Sequence, residues 1–65
     1  MMTRTEAANN YKNAYKGYHA RKGSTFNVEA AAEYAAQDVL SMVRHMSDSD
    51  AVYVINDETQ LLGVS

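Results

Sequence analysis

One stretch, Asn27 to Met46, constrains this chain more than any other, because its start, its apolar face and its end can each be assigned from residue type. Asn27 suits an N-cap, since its side-chain oxygen accepts from the free N–H groups of a first helical turn, and Phe26 is spaced to pack on Ala31 as a staple. Glu29 and Glu33 lie toward the positive end of the helix dipole, and Arg44 and His45 lie at its negative end. At ~100° per residue, Val28, Ala31, Ala32, Ala35, Val39, Met42, Val43 and Met46 fall within a stripe roughly 120° wide, the width of a helix face that lies on a core. A helix over about 27–46 is therefore predicted.

The segment before it reads as a second helix, over about 3–22. Thr3 and Glu6 have the spacing of a capping box, and Gly23 is placed to end the helix in a left-handed conformation. Ala7, Ala8, Tyr11, Ala14, Tyr15 and Tyr18 form its apolar stripe, with Lys12, Lys16 and His19 along one flank. Three tyrosines on a face without Leu, Ile, Val or Phe can pack against the alanines of the 27–46 helix, large rings opposite small residues, while their hydroxyls still require partners. Gly17 costs ~1 kcal/mol relative to Ala in a helix interior and is a point where the helix could end early.

Gly23 to Phe26 is a short connection, which favours an antiparallel helical hairpin. Charge is segregated along the chain. Residues 1–23 carry Arg4, Lys12, Lys16, Arg21 and Lys22 against Glu6 alone, while residues 24–65 carry seven acids against Arg44, for a net charge of −2. The hairpin brings Lys16, His19 and Lys22 toward Glu29 and Glu33, so internal pairing absorbs part of this asymmetry, at about 0–1 kcal/mol for each exposed pair.

Beyond Met46, Ser47-Asp48-Ser49-Asp50 interrupts the helical pattern and the period changes. Ala51 to Ile55 is rich in β-branched residues, Asn56 to Thr59 is a cluster of turn formers, and Gln60 to Val64 is a second apolar run, so a β-hairpin over about 51–64 is expected. The predicted fold class is α+β, an antiparallel helical hairpin followed by a C-terminal two-stranded β-hairpin, in a single domain spanning 1–65. Both faces of that hairpin are apolar and a lone two-stranded sheet is marginal in water, so completion by dimerisation is expected, with Val52, Val54 and Leu61 at the homo-oligomer interface.

A chain of 65 residues without Cys cannot be stapled by disulfides or thiolate metal sites, which leaves a partner chain as the expected source of added stability. No apolar run approaches the ~20 residues needed to span a bilayer, and Met1 to Thr5 is polar, so a cytoplasmic protein without membrane contact is expected. His19 and His45 are far apart in sequence, Asp48 and Asp50 lack the Gly and distal Glu of a calcium loop, and Lys22-Gly23-Ser24-Thr25 has the residues of a phosphate loop in the wrong order. Ser41 and His45 lie one helical turn apart without an orienting group. Neither a catalytic site nor a metal or cofactor site is predicted.

What remains is binding. A small interaction or regulatory module is the expected function, with a protein partner engaged through Lys12, Lys16 and His19 on the first helix and through Tyr34 and Leu40 outside the apolar stripe of the 27–46 helix. The alternative is a nucleic-acid-binding protein that uses Arg4, Lys12, Lys16, His19, Arg21 and Lys22 beside the tyrosines for phosphate contacts and stacking. An acidic chain without a defensible helix-turn-helix pattern favours the protein partner.

Overall fold

In a computed structural model that describes residues 1–63, Thr3 opens the first helix, α1 (Arg4–Lys22), with both halves of a capping box. The Glu6 amide donates to Thr3 Oγ1 at 3.2 Å, and the Thr3 amide donates to Glu6 Oε1 at 2.8 Å. Gly23 closes α1 at φ 69°, in the left-handed region. There its amide and that of Ser24 reach back to the carbonyls of Ala20 and His19, which satisfies the last turn as a Schellman motif. Gly17 does not end the helix.

Asn27 caps α2 (Val28–Met42), its side-chain oxygen accepting from the Ala30 amide at 3.2 Å. The helix stops four residues short of the predicted end. Past Met42 the amides of Val43, Arg44 and Met46 bond three residues back, to Leu40, Ser41 and Val43, a tightening that turns the chain. Arg4 occupies the end of α2. Its Nη1 donates to the Val43 carbonyl at 3.1 Å, its Nη2 donates to the Met46 carbonyl, and its Nε meets Asp48 Oδ1 at 2.5 Å. A cation from α1 thus satisfies carbonyls of the exit turn just beyond the negative end of the α2 dipole, where Arg44 and His45 were expected to act.

The expected β-hairpin is absent, and with it the α+β class. Residues 48–63 form α3 (Asp48–Gly63), and no strand occurs among the described residues. Val64, the last residue of the expected hairpin, lies outside them. Ser47 turns out to be a cap. Its Oγ accepts from the Asp50 amide at 3.2 Å, and its carbonyl takes the Ala51 amide at 2.8 Å. Asp48 and Asp50 then sit in the first turn, where the dipole favours them. Thr59 donates its hydroxyl to the Ile55 carbonyl at 2.9 Å, four residues back, so this turn-forming side chain is accommodated inside a helix. Packing overrides the β-branched preference, because Ala51 and Ile55, four residues apart, are both fully buried.

The result is a three-helix, all-α fold. α1 and α2 run antiparallel, as expected from their short connection. α1 and α3 run parallel, with Arg4 beside Asp48 at one end and Arg21 Nη2 donating to the Leu62 carbonyl at 3.2 Å at the other. α1 packs along both of the other helices, while α2 and α3 meet each other only slightly. The core joins Ala7 and Ala8 of α1, Val39 and Val43 from α2 and its exit turn, and Ala51 and Ile55 of α3. Only Ile55 and Val43 are large among the fully buried side chains, so this is a small core of close backbones.

Two stability measurements follow. Arg4→Gln should cost about 1–2 kcal/mol in urea denaturation, because it strips charged donors from two carbonyls, whereas Asp48→Asn, which removes only an exposed pairing, should cost no more than about 1 kcal/mol. Gly17→Ala should stabilise by up to about 1 kcal/mol, since a Cβ there meets nothing closer than Arg21 Nη1 at 3.5 Å, an ordinary contact at the end of a flexible side chain.

Candidate functional site

Because α2 and α3 barely meet, a groove of about 580 Å³ opens between them and exposes the face of α1 below. Tyr11 and Tyr15 form its floor, and their rings lie 6.4 Å apart. The α2 wall carries Ala31, Tyr34, Ala35, Asp38 and Met42, while Val39 leads into the core and Glu58 stands on the α3 side. The volume lies within the ~300–1,000 Å³ typical of ligand clefts, and the lining mixes aromatic, small and flexible apolar groups. Tyr34 is 68% exposed and Met42 is 53% exposed. Met42 was expected on the buried stripe of α2, whereas that edge of the stripe faces the groove.

Two carboxylates give the groove its charge. Asp38 and Glu58 make no ion pair or side-chain hydrogen bond among the described residues, unlike Glu29, Glu33 and Asp48. Their field reaches the floor. Burial pushes the Tyr11 phenol above its ordinary value of 10.0, and the negative charge of Glu58, the neighbouring Tyr15 and the charge of Asp38 push it in the same direction.

The residues expected to meet a partner are dispersed. Lys12 Nζ pairs with Glu33 Oε1 at 2.6 Å and Lys16 Nζ pairs with Glu29 Oε2 at 3.0 Å, which ties the basic flank of α1 to the acidic start of α2. Lys12 also holds the exposed Glu33 carboxyl below its ordinary value, first through the hydrogen bond and then through its charge. His19 Nδ1 lies 3.0 Å from Ser24 Oγ, and the imidazole packs tilted against Tyr15 and edge-to-face with Tyr18 and Phe26, with ring centres 4.6–5.0 Å apart. Leu40 is half-buried against the core. Tyr34 alone of this set reaches the groove.

The interface candidates divide as well. The face on which Val52, Val54 and Leu61 were grouped does not exist in a helix. Val52 and Val54 are half-buried against the core, and Leu61 is 58% exposed. The strand edge that motivated dimerisation through them is gone. Sequence inspection missed Asp38 and Glu58, placed Met42 on the buried stripe, and gave Tyr11 and Tyr15 to the core or to base stacking rather than to a groove. No signal in the sequence singles out Asp38 and Glu58, since neither α2 nor α3 contains a basic residue and every acid on them lacks a helical partner.

No cluster of three or more His, Asp or Glu side chains among the described residues is arranged to hold a metal ion. No helix among the described residues is long and apolar enough to cross a membrane. Comparison with models of known protein families, with curated proteins and with solved structures finds no match.

The titration of Tyr11 tests this geometry. Glu58→Gln, and to a smaller extent Asp38→Asn, should lower the Tyr11 pKa toward 10.0 in an NMR titration, with burial keeping it above that value. Because the folded value is raised, the contribution of Tyr11 to stability is complete below pH 10.0 and is lost as pH rises through the folded value. Tyr11→Phe should remove that alkaline dependence, and a Tyr11 pKa unmoved by both acid substitutions would contradict the placement of the carboxylates.

Proposed function

We propose that this chain is a non-enzymatic interaction module that binds another protein through the groove between α2 and α3. The observation that carries this reading is the groove itself, lined by tyrosines and Met42 and bordered by two carboxylates that make no ion pair among the described residues. Tyrosine offers large contact area at low entropic cost and methionine adapts to irregular surfaces, so both suit a docking surface. The small core supports the same reading. A domain whose buried side chains are mostly alanine gains little from apolar burial, and a partner that binds only the folded state adds to its stability by mass action.

The ion pairs of Arg4, Lys12 and Lys16 weigh against the nucleic-acid alternative, since they engage three of the six groups on which it relies. Capture from the source cell's lysate on the immobilised full chain tests the proposal through a comparison of variants. Tyr34→Ala and Met42→Ser, both at exposed positions, should weaken retention of the partner at least about tenfold, equivalent to ~1.4 kcal/mol, with helicity unchanged by circular dichroism. A partner that both variants retain at full strength would place the contact elsewhere. Retained DNA or RNA that is lost steeply with added salt would favour the nucleic-acid alternative.

A further inference from the structure

A four-helix bundle places its helices at the corners of a square, so that each packs against two neighbours and lies diagonal to the third. The three helices here occupy three such corners. α1 packs on both α2 and α3, and α2 and α3 meet only slightly, as diagonal helices do. The groove lies between that diagonal pair, with Tyr11 and Tyr15 visible through the gap. We infer that the groove is the vacant corner of a four-helix bundle and takes an amphipathic helix from a partner protein, whose Lys or Arg, flanking its apolar stripe, sits between Asp38 and Glu58.

Charge selects this occupant. Covering the groove takes the two carboxylates out of water, and an unpaired buried charge is far more costly than a paired one. A second copy of this chain docked groove to groove would set Asp38 and Glu58 against the same acids. A phosphate backbone would meet the same repulsion. A cationic side chain pairs with both carboxylates, and the tyrosine rings beside them favour a cation over their faces. Ala31 and Ala35 on the α2 wall let a helix approach closely, and Tyr34 and Met42 provide the apolar contacts along it.

This inference rests on the docking role proposed above, and its test separates the two. A display library of amphipathic helices of about 18 residues, roughly five turns, with flanking positions randomised between acidic, neutral and basic residues, is selected on the full chain. The enriched peptides should carry Lys or Arg at a flank of the apolar stripe, gain helicity on binding, and shift the resonances of Tyr11, Tyr15 and Tyr34. Asp38→Asn combined with Glu58→Gln should weaken them at least tenfold while leaving the helicity of the chain intact, and a charge-reversed peptide with glutamates at the same flanks should not bind.

Enrichment of acidic or neutral flanks, or peptides that stay extended when bound, overturns the inference while leaving groove docking intact. Basic peptides that shift residues away from the groove overturn both, whereas a library from which nothing is enriched overturns the inference alone. Sedimentation that shows the chain pairing with itself through the groove overturns the inference in favour of a second copy.

Discussion

Arg4 holds the turn on which the arrangement of the three helices depends. Its guanidinium reaches from the first turn of α1 to two carbonyls of the turn that follows α2 and to a carboxylate in the first turn of α3. Helix ends leave carbonyls and amides unsatisfied, and a chain that turns sharply between two helices gathers several of them in one place. Here Ser47 satisfies the amide side and Arg4 satisfies the carbonyl side. The turn is thereby fixed beside Ala7 and Ala8, whose small side chains let both neighbouring helices approach α1 closely. A longer apolar residue at either position would push α2 and α3 outward and weaken the contacts of Val43 and Ile55 with α1.

Much of the first two helices was legible because their ends carry local chemistry. Thr3 with Glu6, Gly23 and Asn27 each act as their side chains or backbone freedom dictate, without help from distant residues. The third helix was misread for a reason visible in the same terms. Ser47 and Asp50 have the same spacing as Thr3 and Glu6, a start signal ahead of an apolar run, yet the segment was read only as an interruption before the β-branched run of Val52, Tyr53, Val54 and Ile55. Asn56 to Thr59 also lacks the glycine that a tight two-residue hairpin turn requires. β-branched residues lower helix propensity by only a few tenths of a kcal/mol each, a preference that burial of Ala51 and Ile55 exceeds.

The groove was not legible, since it depends on α3 being a helix and on which pairs of helices touch. Asp38 and Glu58 are 20 positions apart in sequence and become members of one site only through the fold. Of Lys16, His19 and Lys22, which the hairpin was expected to bring toward Glu29 and Glu33, only Lys16 pairs there, while Lys12 takes Glu33 and His19 and Lys22 turn to Ser24 and Tyr18. The tyrosines were ambiguous for a physical reason. A half-buried Tyr presents an apolar ring to a core and a hydroxyl to water, so the residue that packs α1 also forms a binding floor.

The open state of the groove has its own physical logic. Bringing α2 and α3 together over Tyr11 and Tyr15 would bury little more than ring edges, a Met side chain and alanine methyls. The same movement would take Asp38 and Glu58 out of water, and among the described residues neither carboxylate has a cation paired with it, Lys12, Lys16 and Arg4 being held by Glu33, Glu29 and Asp48. The gain scales with apolar area at ~25 cal/mol per Å², while the loss for each uncompensated charge is several kcal/mol. Closure without a partner is therefore unfavourable. The two acids keep the groove solvated in the free chain and set the charge that an occupant must supply.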